Sequence, residues 1–139
     1  MNRVENWPKL LAAFIDERRE VPFTWGKADC CLFAADWVRL ATDLDPAADL
    51  RGKYDSGLGA RRIIKRSGGL GAMVARALLT LGFREVALSL AGRGDVIVRD
   101  SNNGYCAGVV LGKESAFVAR DGLCFTPTQS QANARAWRI

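Results

Sequence analysis

Between Asn6 and Glu20 the apolar residues Leu10, Leu11, Phe14 and Ile15 recur at helical spacing, and Asp16, Glu17, Arg18 and Arg19 fill the rest. That pattern predicts an amphipathic helix with one buried stripe. Asn6 suits its N-cap and Pro8 its first turn. The helix has to stop before Pro22, which cannot continue it. A second helix is predicted from Asp29 to Ala41, with Asp29 as N-cap. Cys30, Phe33, Trp37 and Leu40 make one stripe, and Ala34, Ala35, Val38 and Ala41 broaden it. A helix apolar over so much of its surface belongs at the centre of a fold. Thr42 to Tyr54 reads as a loop punctuated by Pro46 and Gly52. A short basic helix over Leu58–Arg66 ends at Ser67-Gly68-Gly69. Leu70–Leu81 follows, with Met73, Val74, Ala77, Leu78 and Leu81 as its buried set and Gly82 as its C-terminal stop.

The period then changes from helical to two. Candidate strands are Arg84–Leu88, Asp95–Arg99, Tyr105–Leu111, Ser115–Arg120, Leu123–Thr126 and Ala136–Arg138. Asn102-Asn103-Gly104 and Asp121-Gly122 are read as hairpin turns, because these residues tolerate positive φ. Helices in the first half and antiparallel strands in the second predict an α+β fold, with the helices packed on a C-terminal sheet.

The 139 residues are 49% apolar and 25% charged, enough apolar surface for a folded core. They predict one domain over residues 1–139. No apolar run reaches the roughly 18 residues of a membrane span. The start, MNRVENWPKLL, is too charged for a secretory signal. The net charge is +5, spread along the chain, and the densest run is Arg61, Arg62, Lys65 and Arg66. Helical spacing gathers these four on one face, read either as a solvated surface or as a contact for an acidic partner. No aromatic residue interleaves with them, so nucleic acid is not an expected partner.

The chain contains no histidine. Ser-His-Asp and Cys-His catalysis within the chain are thereby excluded, as is any zinc site that needs imidazole. Four cysteines remain, Cys30, Cys31, Cys106 and Cys124, and none forms a C-x-x-C pair. Reduced thiols are expected. Cys30 lies in the first turn of the second helix, where the positive end of the helix dipole favours a thiolate. Cys31 should point elsewhere, about 100° around the helix. Cys124 is expected in the core. Phe23 and Trp25, in the loop before this helix, either pack on its end or offer an edge to a partner. No cofactor and no metal site are expected.

The order of motifs resembles the NlpC-type cell-wall peptidases, a papain-like superfamily. Trp25-Gly26-Lys27-Ala28-Asp29-Cys30-Cys31 is similar to their W-G-x-x-D-C-S segment. Arg93-Gly94-Asp95-Val96-Ile97 is similar to their R-x-G-D strand opening, and Cys106 to Gly112 to their H-V-G-I-Y-L-G strand. Phe117-Val118-Ala119 falls where the family has its next strand. The whole chain resembles more closely a phage-encoded branch of that superfamily. The matching segments are Trp7–Leu10, Pro22–Asp36, Arg51–Tyr54, Gly68-Gly69, Arg93–Val96 and Ala136–Arg138.

The resemblance implies an NlpC-like, papain-type core in which Cys30 holds the nucleophile's position. Cys106 then stands where the family has its catalytic histidine, and Ala119 near its third polar residue. Loss of a general base costs about 10²–10⁴-fold or more in rate. The chain is therefore read as keeping the fold and losing the catalysis. Genes of this branch sit among tail genes, which implies a structural component of a phage tail tip or baseplate. Its implied partners are other tail-tip and hub proteins, and its implied location is the virion, after assembly in the host cytoplasm. The alternatives are a thiol-dependent peptidoglycan hydrolase that borrows a base from a neighbouring subunit and a cytoplasmic tail-assembly factor. Cys30 and Cys106 should face each other, as space-filling thiols, as a disulfide or around a soft metal.

Overall fold

A computed structural model describes residues 3–101, 104–131 and 133–139. Among the described residues, four helices precede six strands. The helices are α1 (Trp7–Arg18), α2 (Cys30–Thr42), α3 (Gly57–Arg66) and α4 (Leu70–Thr80). The strands are β1 (Arg84–Val86), β2 (Val96–Ser101), β3 (Gly104–Val110), β4 (Glu114–Ala119), β5 (Gly122–Pro127) and β6 (Arg135–Arg138). They form one antiparallel sheet in the order β1-β6-β2-β3-β4-β5. The α+β architecture expected from the change of period is the one observed. None of the described helices is long and apolar enough to cross a membrane.

The helix α2 sits over the middle of the sheet because both of its flanks are apolar. One flank, Phe33, Trp37 and Ala41, packs with Leu11, Phe14 and Ile15 of α1 on Val109 and Ala116. The other, Ala34 and Val38, packs with Leu70 and Leu78 on Val96, Val98, Ala107 and Trp137. Strand alternation sends Ile97, Val110 and Phe117 to the opposite face. There they are covered by Leu88 and Ala91 and joined by Cys106 and Cys124.

Two features position the candidate site. The six-residue register of β2 and β3 runs from Val96–Val109 to Ser101–Gly104. The described pairing of β3 with β4 stops at Gly108–Phe117, although β4 continues to Ala119. Beyond that point β3 is free of β4, and the start of α2 meets this stretch of β3 at Cys106 and Ala107. In addition, the loop before α2 is fastened to the end of β4 by the Phe23 amide, which donates to the Arg120 carbonyl at 3.1 Å.

Several expectations need correction. Leu40 is 42% exposed, because it lies at the rim of the buried arc in the last turn of α2. Asn6 precedes α1 without a side-chain capping bond. Of the set assigned to the core of α4, Leu78 is buried, Met73, Val74 and Leu81 pack against the same cluster but are only partly buried, and all of them line a cavity together with Ala77. The first strand ends at Val86, and Leu88 begins a short 3₁₀ turn. The β4–β5 turn is Arg120-Asp121 rather than Asp121-Gly122, since Ala119 pairs with Gly122. Gly122 carries the positive φ of 145°, and a Cβ there would lie 2.3 Å from the Arg19 carbonyl at the end of α1. Of the turn read at Asn102-Asn103-Gly104, the two asparagines lie outside the described residues.

Asp95 does more than order the start of β2. Its carboxylate is completely buried and receives Arg3 Nη2 at 2.8 Å, Arg138 Nε at 3.1 Å, and the amides of Gly92 at 2.9 Å and Ile139 at 3.2 Å. One side chain thus gathers the first and last described segments onto the sheet.

Candidate functional site

The start of α2 is built by local chemistry. Gly26 turns the chain at φ 79°, and a Cβ there would sit 2.3 Å from the Tyr54 carbonyl, so only glycine fits. The turn brings the Gly26 amide to Asp29 Oδ2 at 2.9 Å, while the Leu32 amide donates to Oδ1 at 3.0 Å. Asp29 is thus the N-cap the sequence predicts, an arrangement worth about 0.5–2 kcal/mol. It is nearly fully buried, and Tyr54 donates its hydroxyl hydrogen bond to the same Oδ2. Burial, and then the neighbouring Asp29 carboxylate, push the Tyr54 phenol well above its ordinary pKa. It remains a proton donor throughout the neutral range.

The loop that carries Tyr54 is held at a second point. Arg51 reaches Asp36 of α2 at 2.7 Å and Asp45 at 2.8 Å, and Arg18 of α1 meets Asp36 at 2.8 Å. Arg51 holds the Asp45 carboxyl below its usual range. Asp29 and Asp36 are two helical turns apart and lie on one face of α2. The two acids of the Pro22–Asp36 segment are therefore the docking points for the arginine and tyrosine of the Arg51–Tyr54 segment.

Cys30 is the first residue of α2 and is partly exposed. The thiols of Cys106 and, second, Cys31 hydrogen-bond toward its sulfur, and the backbone amide of Ala107 adds to them. These donors outweigh burial and hold Cys30 below the ordinary thiol pKa. The partners move the other way: Cys106 is pushed up by its bond to Cys30 and by burial, and Cys31 by the same two causes. Within the trio, Cys30 is the thiol that ionises first.

The structure thus brings Cys30 and Cys106 together where the start of α2 meets β3. All four cysteines are free thiols. No group of three or more His, Cys, Asp or Glu among the described residues is arranged to hold a metal ion. Cys31 lines a cavity of about 530 Å³ with residues such as Val38, Leu50, Met73 and Leu81, yet its thiol stays within hydrogen-bonding reach of Cys30, contrary to the expectation that it points elsewhere. Cys124 lies on the outer sheet face, opposite Phe117. Ala119 closes β4, and its methyl group has no atom that could orient a base. A raised thiol at Cys106 is no substitute for imidazole. It stays protonated at neutral pH, and so it is no general base toward Cys30.

Phe23 and Trp25 meet edge to face with centroids 4.6 Å apart. Trp25 is 38% exposed, and its ring lies against Gly57 at the start of α3. The tryptophan thus packs on α3 on one side and is open on the other. Arg61, Arg62, Lys65 and Arg66 are exposed on α3, and none forms an ion pair with a described residue.

Sequence reasoning assigned no role to Tyr54 or Arg99. Tyr54 could have been found from its place in a recurring motif. Arg99 had no such signal. It faces Cys106 across the β2–β3 register, with its guanidinium 3.9 Å from the Phe117 ring centroid. Its Nη1 donates to Gln131 at 3.1 Å, and its charge opposes the upward shift of Cys106.

Fold and site together define an α+β domain with a thiol cluster at the start of its central helix. The chain belongs to the family described as "Domain of unknown function (DUF6950)", whose model matches residues 2–139. No curated protein matches the chain.

Proposed function

We propose that this protein is a structural component of a phage tail tip or baseplate, built on a catalytically degenerate NlpC-like, papain-type domain. One observation carries the reading: Cys30, at the start of the central helix, faces Cys106 on the sheet, where the superfamily places a histidine. The motif order from Trp25 to Ala119 supports the ancestry, and the absence of histidine supports the loss of chemistry. Other tail-tip and hub proteins are the proposed partners. The half-open Trp25 and the unpaired cations of α3 are the surfaces proposed to meet them.

A second reading has its own support in the low pKa of Cys30, which leaves a competent nucleophile. A neighbouring subunit that supplied a base would make the assembly a thiol-dependent peptidoglycan hydrolase. The purified chain separates the two in a peptidoglycan-peptide cleavage assay, alone and after addition of tail-tip fractions. The structural reading predicts no cleavage in either mixture. Turnover that is lost in Cys30→Ala would overturn it and establish the hydrolase.

A further inference from the structure

We infer that Cys30 and Cys106 form a thiol pair that hydroperoxides oxidise to a disulfide, joining the start of α2 to β3. This property is independent of the tail-tip reading and of any hydrolase ancestry. Both residues are partly exposed. Cys30 occupies the first helical position, within hydrogen-bonding reach of the Cys106 thiol and the Ala107 amide on β3. A nucleophilic thiol with a second thiol beside it is the arrangement that favours disulfide formation over further oxidation.

The other cysteines do not compete for the pair. Cys31 is adjacent to Cys30 in one helix, with Cα atoms about 3.8 Å apart, below the usual disulfide range of roughly 4.4–6.8 Å. Cys124 lies on β5, two strands from β3, which places it about 9–10 Å or more from Cys106. That is beyond bonding reach.

The chemistry balances with hydrogen peroxide as the oxidant. The Cys30 thiolate attacks one peroxide oxygen, the O–O bond breaks, and hydroxide leaves. Cys30 is then a sulfenic acid. Cys106 gives its proton to hydroxide and attacks the Cys30 sulfur, breaking the S–O bond and releasing the second hydroxide, which is protonated to water. Two thiols and one peroxide give one disulfide and two waters, and the two sulfurs together supply the electron pair. Arg99, facing Cys106 across the strands, places a positive charge beside the sulfur that must become a thiolate. Among the described residues its Nε has no hydrogen-bond partner, so that charge is not fully spent elsewhere.

The test treats the reduced full-length chain with hydrogen peroxide and follows thiol titre, intact mass and a non-reducing peptide map. The wild type should lose two of its four titratable thiols, and its mass should fall by two hydrogens. The map should link the Cys30 and Cys106 peptides, and dithiothreitol should restore all four thiols. In Cys106→Ser, Cys30 should instead gain two or three oxygens irreversibly. Cys124→Ser should still form the link. Unchanged thermal melting of the two variants shows that they are folded. If the variants do not fold, the wild-type map alone decides. Retention of all four thiols, a link through Cys31 or Cys124, or irreversible oxygen gain at wild-type Cys30 would each overturn the inference.

Discussion

Replacing Trp37 with alanine is expected to destabilise the protein by about 3–5 kcal/mol, the usual cost of deleting a large aromatic from a packed core. Trp37 is completely buried at the middle of α2. It packs with Leu11, Phe14 and Ile15 on Val109 and Ala116, and its ring centroid is 5.9 Å from that of Phe14. Its indole also donates to the Gly94 carbonyl at 2.8 Å. The residue therefore joins α1, α2, the sheet and the loop before β2. Trp37→Phe keeps most of the packing but leaves the Gly94 oxygen without its donor, a loss of about 1–3 kcal/mol. Urea unfolding checks both through the shift in midpoint at unchanged slope. Equal midpoints for wild type and Trp37→Ala would show that the core lies elsewhere.

Asp95→Ala is expected to cost about as much, ~3–5 kcal/mol, for an electrostatic reason. The carboxylate is fully buried and satisfies two arginines and two backbone amides at once. Removing it leaves Arg3, whose side chain is only 12% exposed, with its charge facing only the neutral carbonyls of Ile139 and Arg93. Arg138 is 44% exposed at its side chain and can turn to water. Arg138→Ala should therefore cost less than Asp95→Ala, because the buried carboxylate keeps Arg3 and two backbone amides. Limited proteolysis of Asp95→Ala should cut first near residues 3–6, which the Arg3–Asp95 pair no longer holds. Equal losses for Asp95→Ala and Arg138→Ala would contradict this account, because the cost would then not come from burial.

Much of this fold is legible in the sequence because its signals are local. Asp29 as a cap, the two-sided apolar surface of α2, and the change to period two before β1 each follow from neighbouring residues. The facing of Cys30 and Cys106 was legible only through a motif order, since 76 positions separate them. What the sequence hid depends on contacts between segments. Asp95 reads only as part of a strand opening until Arg3 and Arg138 meet it from distant segments. Arg51 and Tyr54 read as loop residues until they dock on Asp36 and Asp29. The exposure of Leu40 and the open flank of α4 follow from where one helix ends relative to its neighbours, which periodicity does not encode.

The redox pair and the structural role make separate demands on the same residues. A tail component needs α2 seated on the sheet, which Trp37, Asp29 and Asp95 secure without any chemistry at sulfur. The proposed oxidation of the thiols at the start of α2 requires no peptidase activity.

Quantitative mass spectrometry of purified particles from a phage that encodes this chain tests the central claim most directly. The account predicts the protein in finished particles at a fixed ratio to the tail-tip hub protein, retained through gradient purification and enriched in isolated tails. Its presence in infected cells together with its absence from finished particles would contradict the account and make the protein an assembly factor.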